Sequence, residues 1–243
     1  MFYGFFIMKL KSRQQENSEQ TRLALLEAGQ YLFVNQCYYD VSIDEISRYA
    51  RVTKGAFYHH FSNKKALLRE CYLLQVKHAV QKLDEVPTYD DKWQELTALF
   101  SLCVDHIYQC KNELIPLQEV ISVLGWKEWE EIDANILIPR IQHCVDILFA
   151  EKQICAYSPA IVVNLIYGFI THIAINLKNE ASLPKEACSD FKAIFADFLI
   201  GVKQASPQRH QHRVERGIKI PLSIVQKINN QQIILFNYYC IIE

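Results

Sequence analysis

Lys54, Tyr58, His59 and Lys64 fall within eleven residues of this 243-residue chain, beside the small Gly55 and Ala56. Long cations, a phenol and an imidazole of that kind donate hydrogen bonds to phosphate oxygens, and a lysine can also reach a guanine edge in a duplex groove. A second group, Cys103-x2-His106-x3-Cys110, sets three soft ligands at i, i+3 and i+7. Zinc asks for about four such ligands in a tetrahedron, and one helix face offers an incomplete set. Metal or redox sensing through Cys103, His106 and Cys110 is therefore the alternative, set against plain helix packing. Catalysis finds no footing. The chain has no Gly-rich phosphate loop, nucleophile elbow or HExxH helix, and pairs such as Asp105 with His106 or His143 near Asp146 occur by chance in helical proteins. The expectation is a protein that is not an enzyme and uses neither cofactor nor metal.

Local rules supply the elements that must carry the first group. Ser42-Ile-Asp-Glu45 has the form of a capping box, after which Ile43, Ile46 and Ala50 share one face of a short helix. Thr53 is the next good N-cap, and a helix over 54–60 follows, anchored inward by Phe57 and Phe61. Asn63 caps a further helix that opens with Lys64-Lys65. Two cations at the positive end of a helix are unfavourable unless an anion such as a phosphate lies nearby. Upstream, Leu25, Ala28, Gly29, Leu32 and Phe33 recur with helical period and give a supporting helix over 21–34. A seven-residue helix cannot stand alone in water, so its neighbours must hold it. The product is a three-helix unit with a helix-turn-helix, the second helix of which would enter a major groove.

Taken in order, Arg22, Leu25, Ala28, Leu32 and Phe33, then Ser42-Ile-Asp-Glu-Ile, then Val52-Thr-Lys-Gly-Ala-Phe-Tyr-His-His-Phe, then Asn63-Lys-Lys-Ala-Leu-Leu resemble the DNA-binding domain of TetR-type transcriptional regulators over residues 18–72. Two positions depart from that pattern. Arg51 stands in a turn where the family usually has glycine, which implies strain of about 1 kcal/mol if its backbone is left-handed. Cys37 replaces a common glycine after the first helix. The resemblance implies that Thr53, Lys54, Gly55 and Ala56 open the recognition helix, with Lys54 as the base reader. It implies phosphate contacts from Ser42, Tyr58, His59 and Lys64. It further implies an all-α fold, in which the three-helix DNA-binding domain is joined to a larger helical ligand-binding and dimerisation domain. The implied partners are a palindromic double-stranded DNA operator, a second copy of the chain, and a small apolar or amphipathic effector, with repression as the default outcome.

Charge and composition agree with a two-part molecule. Lys9 to Glu70 holds ten Lys/Arg against seven Asp/Glu in a chain whose net charge is −1, so a basic head precedes an acidic body. The expected divisions are an N-terminal extension and basic arm over 1–16, the helix-turn-helix domain over 17–63, the helical body over 64–204 and an atypical tail over 205–243. Met8 is a more natural beginning than Met1. Body helices are expected near 64–84, 90–111, 113–124, 127–137, 138–153, 159–178 and 185–203, with breaks at Pro87, Gly125, Pro139, Ser158-Pro159 and Pro184. The helix 159–178 is apolar on every side, yet Asn164, Thr171 and His172 interrupt it and it reads as too short for a membrane span. A two-fold four-helix bundle would bury it, with Ile166, Ile170, Ile173, Leu177, Phe191, Phe195 and Phe198 at the dimer interface. Phe100, Cys103, Trp126, Trp129, Tyr167 and His172 are the expected walls of an effector pocket. Eight scattered cysteines without a secretory signal indicate free thiols in a reducing cytoplasm.

Overall fold

The computed structural model describes residues 12–134, 138–154, 157–176 and 187–204. All regular structure among them is helical: α1 Arg13–Asn35, α2 Ile43–Tyr49, α3 Lys54–His60, α4 Lys64–Leu83, α5 Lys92–Gln109, α6 Leu117–Leu124, α7 Trp126–Ala134, α8 Ile138–Ala150, α9 Pro159–Asn176 and α10 Ala187–Gln204. The three caps expected in the head are present. The side chains of Ser42, Thr53 and Asn63 accept from the amides of Glu45, Ala56 and Ala66 at 3.1, 3.1 and 2.8 Å. The box at α2 is only half made, because the Glu45 carboxylate takes a hydrogen bond from the Gln36 side chain instead of turning back to its own cap. A complete box sits at Ser12 and Gln15, which starts α1 inside the segment expected to be a free arm. The rest of that arm and the tail over 205–243 lie outside the described residues. Arg51 does adopt the left-handed backbone its place in the turn implies, with φ of 57°.

Two cores hold the molecule, and the first runs across the junction between head and body. Leu25, Phe33, Ile46, Phe57, Leu67 and Leu68 of the head share it with Val120, Leu124 and Trp129 of α6 and α7. Helix α4 is the common beam. Helix α1 lies against it so closely that a Cβ at Gly29 would sit 2.9 Å from Leu67 Cδ2 and 3.0 Å from Cys71 Sγ. Polar ties follow the same route: Arg22 pairs with Glu70 at 2.8 Å, and Glu128 of α7 receives Lys65 and Arg69 of α4 at 3.0 and 3.2 Å.

The second core joins α5, α8, α9 and α10, where the rings of Phe100 and Phe195 stack at 3.8 Å between centroids. It also encloses Glu95, which is 2 % exposed. Its carboxylate is met by Lys92 at 2.8 Å, by the Tyr89 amide at 3.2 Å and by Arg140 at 3.6 Å. Arg140 in turn donates to the carbonyls of Leu83 and Val86, closing the C-terminal end of α4.

The expected dimer residues are corrected by this core. Ile166, Ile170, Ile173 and Phe195 are 1, 6, 0 and 0 % exposed within a single chain, so they have no surface left for a partner. Phe191 and Phe198 are half-buried against the same core, and Leu177 lies outside the described residues. The open faces are on the other side. Ile161 and Leu165 of α9 and Ile194 and Ile200 of α10 are each about half exposed. An apolar helix gives no hint of which side turns inward, and contact with α5 and α8 decides it. By length and composition α9 could cross a bilayer, contrary to expectation, but Val162, Val163, Ile166, Ile170 and Ile173 dock it into the bundle.

Candidate functional site

Helix α3 is fixed from below and bare above. Phe57 is fully buried and Phe61 nearly so, while Thr53, Lys54, Gly55, Tyr58 and His59 are exposed. Gly55 has nothing beside it except the Thr53 hydroxyl, at 3.7 Å from where a Cβ would be, so a partner backbone could approach there. Lys54 rests on Asp44 of α2 at 2.9 Å, with both side chains largely in solvent. The Asp44 hydrogen bond and charge raise the Lys54 pKa and keep it a cation. An exposed pair of this kind is weak and easily exchanged for another anion. Spacing gave no reason to single out Arg48 and Arg51, yet both are exposed at the turn that leads into α3.

Lys64 is not available in the way expected. Its ammonium donates to the carbonyls of Tyr38 and Val41 at 2.6 and 2.5 Å and lies 4.2 Å from the centre of the Tyr38 ring. Burial lowers its pKa. It clasps the loop between α1 and α2, and Lys65 is engaged with Glu128 and the Leu124 carbonyl. The two cations at the start of α4 are thus satisfied by the chain itself, and a phosphate is not needed to explain them.

The body contains a cavity of about 420 Å³ between α4, α5, α6 and α9. Of the six expected lining residues, Cys103 and Tyr167 border it. Phe100 is locked into the ring stack of the second core, Trp126 is half exposed, His172 is on the surface, and Trp129 is fully buried behind the wall. The apolar lining includes Val76, Leu102, Ile107, Leu117 and Ile170. Its buried polar feature is a triad in which Tyr167 was expected and Asp133 and Tyr72 were passed over by pattern reading. Asp133, 4 % exposed, accepts from the Tyr72 hydroxyl at 2.7 Å and from the Tyr167 hydroxyl at 3.1 Å. The Trp129 indole donates to the Tyr72 oxygen at 2.9 Å. Burial pushes the Asp133 carboxyl up to about 6, against the two phenols that favour its ionised form. One signal for Asp133 existed: it lies four residues after Trp129, hence on the buried face of a helix whose Glu130 and Glu131 point outward.

Cys103, His106 and Cys110 do not converge on a metal. His106 and Cys110 meet each other, Nδ1 to Sγ at 3.5 Å, and burial pushes the Cys103 thiol up to about 12. No cluster of His, Cys, Asp or Glu able to hold an ion occurs among the described residues.

Comparison with known proteins gives a consistent picture. The family model of bacterial regulatory proteins, tetR family, matches residues 25–71. The Transposon Tn10 TetC protein of Escherichia coli is 39 % identical over 196 residues, covering 81 % of this chain and 99 % of that protein. Among solved structures, a TetR-family transcriptional regulator from Pectobacterium atrosepticum is similar with a TM-score of 0.61 at 22 % identity, over 80 % of this chain and 99 % of its own. RolR in complex with resorcinol is similar with a TM-score of 0.56 at 18 % identity, over 82 and 94 % of the two chains.

Proposed function

This chain belongs to the TetR family of bacterial transcriptional regulators, and on that premise we propose that it is a homodimeric repressor that leaves a palindromic operator when an apolar or amphipathic effector fills its cavity. The relatives are regulators rather than enzymes, and a DNA-binding regulator works in the cytoplasm. The observation that carries the reading is α3 itself: a seven-residue helix held by two buried phenylalanines, with Thr53, Lys54, Gly55, Tyr58 and His59 turned to solvent. Lys54 reads a base edge. Thr53, Gly55 and Ala56 let the backbone approach, and Ser42, Tyr58 and His59 hold phosphates.

The dimer reading is supported by the outer faces of α9 and α10, where Ile161, Leu165, Ile194 and Ile200 leave apolar surface uncovered. Gly168 and Gly201 have nothing within 4 Å of an added Cβ, so a partner helix could come close there. Two heads presented by such a bundle match two half-sites. The effector role of the cavity is supported by its size and mostly apolar lining. Helix α4 carries both cavity residues and the ties to α1, so a change at one end has a rigid route to the other.

Selection of bound DNA from a random pool, with the full chain at low ionic strength, tests the reading. A palindromic consensus is expected, with affinity falling steeply as salt rises. Lys54→Ala with Tyr58→Ala should weaken the selected operator by tenfold or more and leave the dimer intact by sedimentation. A monomeric protein with no preference among the oligonucleotides would end the proposal.

A further inference from the structure

We propose that the effector is an organic monocation, its charged head seated against Asp133 and its apolar body filling the cavity between α4, α5, α6 and α9. The inference rests on the effector reading above and names the chemistry of that site. Asp133 borders the cavity, yet both carboxylate oxygens are engaged only by phenols, Tyr72 on one and Tyr167 on the other. Phenols supply hydrogen bonds but no positive charge. Among the described residues no lysine, arginine or histidine forms an ion pair with this carboxylate, whose partners are the two phenols. An uncompensated buried carboxylate is costly, and a chain that needed only packing there would do better with an apolar residue. The deficit is one positive charge, located at the cavity wall.

The surroundings suit a soft, weakly hydrated cation. Tyr72 and Tyr167, whose hydroxyls hold the two carboxylate oxygens, also line the cavity, and aromatic groups are favourable neighbours for an ammonium head. Beyond them the lining is Val76, Leu102, Ile107, Leu117, Ile170 and Ala174, which receives an apolar body. The basic side chains of the lining lie elsewhere. Lys82 lies ten residues beyond Tyr72 on α4, about 15 Å along the helix, where it pairs with Glu85 at 3.3 Å. His106 is near it, and burial together with the Lys82 charge lowers the His106 pKa. Lys111, which also lines the cavity, follows the end of α5 beyond His106. The deficit at the wall is a single charge, so a monocation matches it. At neutral pH a carboxyl with a pKa of about 6 is still ionised and can attract the head group.

Tryptophan-fluorescence titration of the full chain at pH 7.5 tests this with three probes of one shape. They are (4-phenylbutyl)trimethylammonium, its uncharged analogue with carbon in place of nitrogen, and 5-phenylpentanoate. The cation should bind at least tenfold tighter than the uncharged analogue, and the carboxylate more weakly than either. Asp133→Asn should erase the preference for the cation while the uncharged analogue binds within about twofold of before. Thermal melting confirms that this variant folds, and the probe series in the unaltered chain needs no variant at all. Equal binding of cation and uncharged analogue, or a preference that survives Asp133→Asn, overturns the cation site alone. Binding of none of the three overturns it together with the effector reading.

Discussion

Glu95 and Asp133 are buried to nearly the same degree, but the interior treats them in opposite ways. Around Glu95 the second core supplies Lys92, Arg140 and the Tyr89 amide. Burial alone would raise its pKa, yet these partners hold it below the ordinary carboxylate value. Around Asp133 the cavity wall supplies two phenols, and burial wins. The lesson is that the acid serving structure here brings its counter-charges with it, whereas the acid held by neutral donors alone is the one at which we place a ligand's charge.

The sharpest way to break that contrast is to remove the compensated acid. Glu95→Ala would take the buried counter-charge from Lys92 and Arg140 while leaving them their carbonyl partners, lowering stability by about 3 kcal/mol in denaturant titration. A loss under about 1 kcal/mol would mean that the network contributes little and the contrast is false. Next in size is a difference of sign with pH. Asp133 has its carboxyl raised from 3.8 to about 6, so between those values the folded chain holds a proton that the unfolded chain has released. Its contribution to stability is therefore greatest at acid pH and falls as pH rises through the window, by about 3 kcal/mol in total. Glu95, with its pKa lowered, does the reverse: its stabilisation is present above the unfolded value and is lost as pH falls through the folded one. Denaturant titrations of the native chain and Asp133→Asn at pH 4.5 and 7 should show the variant gaining relative stability toward pH 7. A constant difference would place Asp133 in contact with solvent or with a counter-charge.

Smaller changes sharpen the account of the wall. Tyr72→Phe removes a donor from Asp133 and leaves the buried Trp129 indole without its acceptor, a loss of about 2 kcal/mol. Tyr167→Phe removes the longer of the two bonds to Asp133, together with a contact to Thr171, at a half-buried position and should cost about 1 kcal/mol. Thermal melts of the two variants rank them, and the reverse order would mean that Tyr167 is the main support of the carboxylate.

The reading head is largely legible in the order of its residues. Caps at Ser42, Thr53 and Asn63 and the buried pair Phe57 and Phe61 follow from contacts a few residues apart, whereas the left-handed Arg51 was implied only by the family resemblance. Such short-range rules work because a helix end must satisfy its own amides locally. Lys64 escaped them because its partners, the carbonyls of Tyr38 and Val41, are more than twenty residues upstream. In the body the number and approximate limits of the helices could be read, but their orientation could not.

What the amino-acid order alone determined is therefore the all-helical class, the helix-turn-helix and the residues that open α3, since periodicity and capping are local properties. Tertiary structure decided which side of α9 and α10 is buried, turning Ile166, Ile170, Ile173 and Phe195 inward and Ile161, Leu165, Ile194 and Ile200 outward. It also decided that Asp133, one acid among several on α7, meets Tyr72 and Tyr167 at a cavity wall. The reason is physical: an all-round apolar helix or an acid-rich one has no preferred face until neighbours far along the chain pack against it.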